Sequence, residues 1–93
     1  MIVAVQTVDI AIFDARTLKD KRRVIKSLKQ RLHNGFNISV AEVAYGERPK
    51  RCKLGMAMVG KESRPLHTQM DLAIDLVRRA AGVTLLDYQR EFL

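Results

Sequence analysis

Residues 36–59 read FNISVAEVAYGERPKRCKLGMAMV, and this stretch decides the fold. Phe36, Ile38 and Val40, followed by Val43 and Tyr45, show the alternation of a strand, and Cys52 to Val59 is a second apolar run of strand length. Between them Gly46-Glu47-Arg48-Pro49 is turn chemistry. Outward on both sides the apolar period changes to that of a helix. Upstream, Thr17 followed by Asp20 is a capping-box start, and the helix is expected to run to about Asn34, with Asn34-Gly35 as a left-handed stop. Downstream, Ser63 is expected to cap a second helix with Pro65 in its first turn. Its buried stripe reads Leu66, Met70, Ala73, Val77 and Ala80/Ala81, and Gly82 ends it. The outermost segments, Ile2 to Phe13 and Val83 to Phe92, are strands. Apolar parity in the first one shifts from Val3 and Val5 to Val8, Ile10 and Ile12, which predicts burial on both faces or a bulge near Gln6-Thr7.

The order β-α-β-β-α-β predicts an α+β domain over residues 1–93: a ferredoxin-like sandwich, with two helices on one face of a four-stranded antiparallel sheet. Right-handed crossovers put the first and third strands in the centre. One sheet face stays open for a partner or a second copy. The strand–helix junction at Asp14–Thr17, the hairpin at Gly46–Arg51 and the helix end at Arg78-Arg79 fall at one pole.

Charge is concentrated there. Of the net +7 over 93 residues, the segment from Asp14 to Gly35 holds eight Lys/Arg against two Asp, and Gly46 to Lys53 holds four against one Glu. A concentrated excess makes a local field that attracts polyanions, so nucleic acid is the first partner to consider. On the first helix, Val24, Ile25, Leu28 and Leu32 share a side with Leu18, while Lys19, Arg22, Arg23, Lys26 and Lys29 form a separate stripe reaching His33. Cations in the first two turns oppose the helix dipole by ~0.3–1 kcal/mol each, a conflict that a bound anion would reverse. Lys21 is the oddity, because its angle places it inside the apolar arc. A lysine there packs its stem and snorkels past the helix end.

Ala15-Arg16-Thr17-Leu18-Lys19-Asp20-Lys21-Arg22-Arg23-Val24-Ile25-Lys26-Ser27-Leu28, then Asn37-Ile38-Ser39-Val40-Ala41-Glu42-Val43 and the Leu85-Leu86-Asp87 ending, give the whole chain a resemblance to the YlxP-like family of small bacterial proteins of unknown function. The resemblance implies the ferredoxin-like fold and a gene neighbourhood shared with translation initiation factor two and ribosome-binding factor A. The chain departs from the family in its hairpin, where many members carry acidic, His and Trp residues and this one has Ala44-Tyr45-Gly46-Glu47-Arg48-Pro49.

The functional expectation is a non-catalytic cytoplasmic protein that binds RNA or ribosomal phosphate surfaces through its basic pole. Its candidate site comprises Arg16, Lys19, Lys21, Arg22, Arg23, Lys26 and Lys29 with Arg48, Lys50 and Arg51. Recognition should be phosphate-led, because the third strand carries no aromatic for base stacking and no GxxG clamp is present. The alternatives are an oligomeric small-anion-binding or sensing module, with Leu72 and Leu76 broadening the second helix toward a subunit contact, and an acylphosphatase-like enzyme with Arg16 in its loop. The glycine-rich loop of such enzymes is missing, and no catalytic constellation emerges. His33 and His67 lie at the opposite pole, Asp9 lacks an acid–base partner, and Cys52 beside Arg51 and Lys53 is a packing residue or a low-pKa thiol. No cofactor or metal is expected. A single cysteine suits a reducing compartment, and neither a leader peptide nor a membrane-length apolar run is visible, so no membrane partner is expected.

Overall fold

A computed structural model describes residues 1–93. Six elements follow in order: β1 (Ile2–Ala11), α1 (Leu18–Gly35), β2 (Ser39–Ala44), β3 (Arg51–Gly60), α2 (Ser63–Arg79) and β4 (Thr84–Phe92). The strands form one antiparallel sheet in the order β2-β3-β1-β4, with β1 and β3 central as the sequence predicts. This is the ferredoxin-like α+β arrangement. No helix is long and apolar enough to cross a membrane.

Alternation along the central strands divides the sheet into two faces. Ala4, Val8 and Ile10 of β1 and Cys52, Leu54, Met56 and Met58 of β3 turn toward the helices and are buried. They meet Ile25, Leu28 and Leu32 of α1 and Leu66, Met70, Ala73, Ile74 and Val77 of α2 in one core. Burying a Leu or Ile side chain contributes ~1.5–3 kcal/mol, so this inward face drives folding. The parity shift expected near Gln6-Thr7 has a different resolution. β1 keeps its period, and Gln6 points into the core, 1 % exposed. Its amide donates to the Met70 carbonyl at 3.3 Å, and its carbonyl accepts from Arg90 Nε at 2.7 Å. The irregularity lies instead between Asp9 and Ile10, against β4.

Helix α1 starts as its sequence specifies. Thr17 Oγ1 accepts from the Asp20 amide at 3.1 Å, while Asp20 accepts from the amides of Thr17 and Arg16 at 3.3 and 3.0 Å. These bonds hold the Asp20 carboxyl below its ordinary range, the Arg16 amide being the largest cause. The other three helix-end expectations divide. Gly82 does take a left-handed backbone, φ +76°, but in the turn beyond α2; the helix itself ends at Arg79, where Ala80 caps in extended backbone. Asn34-Gly35 is no left-handed stop, because Gly35 stays helical and Phe36 caps in extended backbone. Ser63 is the first helical residue rather than the cap, and Glu62 precedes it without a side-chain capping bond. Ala80 is buried, whereas Ala81 is exposed.

Register brings the first strand's end to the start of β3 and β4, since Ala11 pairs with Arg51 and with Thr84. The longest dimension is 42 Å, so this pole and the opposite one are separate surfaces.

Candidate anion-binding groove

The candidate cations divide into those used by the fold and those free to meet a ligand. Lys21 belongs to the first group. Only 2 % exposed, its ammonium donates to the carbonyls of Tyr45 at 2.6 Å and Gly46 at 3.3 Å and pairs with Glu42 Oε2 at 2.7 Å. Three donors meet three acceptors, so this lysine clasps the α1 start to the β2–β3 turn and is withdrawn from solvent. Lys50 donates to the Phe13 carbonyl at 2.6 Å, tying the end of β1 to the same turn. Arg51 places one guanidinium nitrogen 2.8 and 2.9 Å from the two Asp9 oxygens and stacks on the Tyr45 ring at 4.7 Å. The Asp9 hydrogen bond raises its pKa further. Asp9 is thus the anchor of an arginine. Tyr45 itself holds a left-handed backbone, φ +64°, unusual outside glycine. Arg48 lies over its ring at 5.6 Å.

The molecule has four ion pairs: Lys21–Glu42, Arg51–Asp9, Arg78–Asp75 and Arg90–Asp71. Arg16, Lys19, Arg22, Arg23, Lys26, Lys29 and Arg48 stand outside all of them. Helical rotation sends Arg22, Lys26 and Lys29 to one flank of α1 and Arg23 to the other, while Arg16 precedes the helix and Arg48 lies in the β2–β3 turn. Arg23 joins Arg31 beside Ala80 and Val83, on the side toward the end of α2. Arg22, Lys26, Lys29 and His33 line a groove of about 530 Å³ on the other flank, completed by Ile25, Gln30, Glu42 and Gly46. Lys21 and Glu42 form its neutralised wall, so the remaining cations set its field.

The amides around the start of α1 are partly taken. Those of Arg16 and Thr17 donate to the Asp20 carboxylate, that of Asp20 donates to Thr17 Oγ1, and that of Ala15 donates to the Ile12 carbonyl, while Leu18 and Lys19 are the first-turn positions outside these bonds. Cys52, buried beneath the groove, is no activated thiol: burial first, and then the Glu42 carboxylate, push it up to about 12. His67 stacks on Phe92 with ring centroids 4.2 Å apart and lies 3.1 Å from Arg90, a packing role.

His33, Gln30 and Glu42 are groove residues outside the sequence-based candidate set. Glu42 carried a usable signal, because it shares the inward parity of Ile38 and Val40 and could have been matched to the lysine in the apolar arc.

The model of the family described as "Protein of unknown function (DUF503)" matches residues 3–90. The uncharacterized protein YlxP of Bacillus subtilis (strain 168) is 38 % identical over 61 residues, which are 66 % of this chain; the chain spans 64 % of that relative's length. A de novo designed protein, Foldit4, superposes with TM-score 0.57 at 10 % identity, covering 100 % of this chain and 97 % of its own, a likeness of fold alone.

Proposed function

The chain belongs to the family of unknown function DUF503, and we propose that it binds structured RNA, of the kind a ribosome displays, through the phosphate backbone. One observation carries this reading. The cations of the α1 flank and its groove have no ion-pair partner of their own, while elsewhere at the same pole Lys21, Lys50 and Arg51 are engaged by carbonyls or a carboxylate of the fold. Unpaired like charges repel one another, so a stability-driven surface would have interspersed acids; a polyanion supplies the missing counter-charge. From Arg22 to His33 the helix rises by roughly 16 Å at ~1.5 Å per residue, long enough to follow several phosphates rather than one. No exposed aromatic lies on the central strands, so backbone and shape, not base edges, are what this surface can read.

If about six phosphates are engaged, affinity falls by about three orders of magnitude between roughly 50 and 200 mM salt. The test is RNA binding against salt by the native chain and by Arg22→Glu/Lys26→Glu, with Lys61→Glu/Arg64→Glu at the opposite pole as control. The groove pair should abolish binding and leave the melting temperature unchanged or slightly raised, since cations leave the positive end of α1. Equal losses from the two pairs would mean diffuse charge with no site. A flat salt dependence would sink the mechanism.

A small-anion site is the second reading, favoured by the groove's concavity and its Ile25 floor, its volume lying within the usual ~300–1,000 Å³ of ligand sites. Saturable competition by a mononucleotide or polyphosphate at fixed ionic strength would select it over RNA.

A further inference from the structure

The sheet face turned away from the helices has a pattern of its own. Across the central pair the register sets Val3 beside Val59, Val5 beside Ala57, Thr7 beside Gly55 and Asp9 beside Lys53. Val59 is 58 % exposed, and on the neighbouring strand Val43 is 56 % exposed. Gly55 keeps this surface flat, because a Cβ there would sit 3.0 Å from the Val43 methyl that leans across it. At one end the charges are unbalanced. Asp9 and Asp87 are direct register partners on β1 and β4, a pairing that is unfavourable on its own. Arg51 compensates Asp9, while Asp87 and Lys53 have no ion-pair partner.

We infer that this face packs against the same face of a second copy, about a two-fold axis that runs along the strands between β1 and β3. Such an axis exchanges the two sides of the sheet and keeps the poles together. Each β1 residue then lies over the β3 residue that is its own register partner: Val3 over Val59, Val5 over Ala57, Thr7 over Gly55. Asp9 lies over Lys53, and the lysine of each copy arrives beside the Asp9–Asp87 pair of the other. The uncompensated charges thus cancel between copies, as an isologous interface requires. A two-fold across the strands gives the reverse. It opposes Asp87 to Glu91, sets Asp9 on Val5 and sets Lys53 on Ala57, burying charge on apolar surface. The strands, of 10, 6, 10 and 9 residues, at ~4.8 Å spacing and ~3.3 Å rise give a footprint on the order of 550 Å² per copy. That approaches the roughly 800 Å² per partner of a standard interface.

The consequence is directional: both basic poles emerge on the same side of the dimer. The inference itself does not depend on what those poles bind.

Sedimentation of the native chain across tens of micromolar should show a dimer, and Ala57→Arg should halve the apparent mass while its thermal melt stays that of a folded domain. To read the axis, Val5→Cys and Ala57→Cys are prepared separately and oxidised alone and mixed. Mixing should give disulfide-linked heterodimer at several-fold the yield of either alone, and Cys52 stays out of the reaction because it is buried. A monomer at every concentration overturns the inference. So does a dimer that Ala57→Arg leaves intact, or one in which Thr7→Cys alone links to itself, the signature of the crosswise axis. A dimer in a chain that binds no RNA leaves this inference standing and removes the functional reading instead.

Discussion

Removing the Glu42 carboxylate tests the clasp on which the pole is built. Breaking a buried ion pair from one side costs ~3–5 kcal/mol, because the surviving charge is left without its counter-ion. Two features of this site lower that figure. Glu42 keeps 31 % of its side chain exposed, and Lys21 retains the Tyr45 and Gly46 carbonyls after the carboxylate has gone. Glu42→Ala should therefore cost about 2 kcal/mol, a fall in melting temperature of roughly 8–16 °C for a domain of this size. Lys21→Met keeps the volume of the stem and removes the charge, so Glu42 becomes an ordinary half-exposed carboxylate. In that background Glu42→Ala should add little, giving a coupling of ~1–2 kcal/mol in the double-mutant cycle. Equilibrium urea unfolding of the four proteins measures this directly, with midpoints compared at constant slope. If Glu42→Ala stays within about 0.5 kcal/mol of the native chain, or if the two changes simply add, Lys21 is held by packing alone and the reasoning fails.

Three further outcomes are expected. Thr17→Ala removes the α1 cap and should cost ~1 kcal/mol by urea unfolding, with Thr17→Ser close to native; equal losses from both would refute the capping role. Gly82→Ala forces a Cβ into a left-handed backbone and should destabilise by ~1 kcal/mol despite open space around it, and a neutral result would mean the turn relaxes. Cys52 should resist thiol reagents at pH 8 until the chain unfolds. Its pKa is raised on folding, so the stability it contributes is complete below about pH 9 and is lost as pH rises toward 12. A Cys52→Ala chain with the same alkaline profile as the native one would show that another group controls it.

The fold was legible because local signals agreed with one another. The capping box at Thr17, the turn at 46–49 and four changes of period fix element order without any tertiary information. What escaped is tertiary by nature. Gln6 looked like a break in the strand because a buried amide is tolerated only where partners wait, and the Met70 carbonyl and Arg90 come from distant elements. Asn34-Gly35 has stop chemistry, yet Phe36 packs against the core and draws the chain out extended instead. The candidate site was legible as a charge cluster but not as a surface. Sequence counts Lys21, Lys50 and Arg51 alongside Arg22 and Lys26, and only coordinates show that the first three are spent on backbone carbonyls and Asp9. The groove also turns on which flank of α1 faces Glu42, a matter of helix docking rather than of helical period.

The strand order has a kinetic side. β1 lies in the middle of the sheet, yet its partners come from far along the chain, Ile2 meeting Gly60 and Ala4 meeting Phe92. Only α1, α2 and the β2–β3 hairpin can form from nearby residues, and each closes early at small loop entropy. The centre of the sheet must wait for its most distant contacts, which places the chain among mixed folds that pass the barrier more slowly than helical bundles of equal length. Until that moment β1, with valines on one side and Ile10 and Val8 on the other, is an unpaired apolar strand. β1 precedes both of its partners in the chain and is protected only when they arrive, so the unfinished intermediate, rather than the native surface, is where aggregation of this protein should begin.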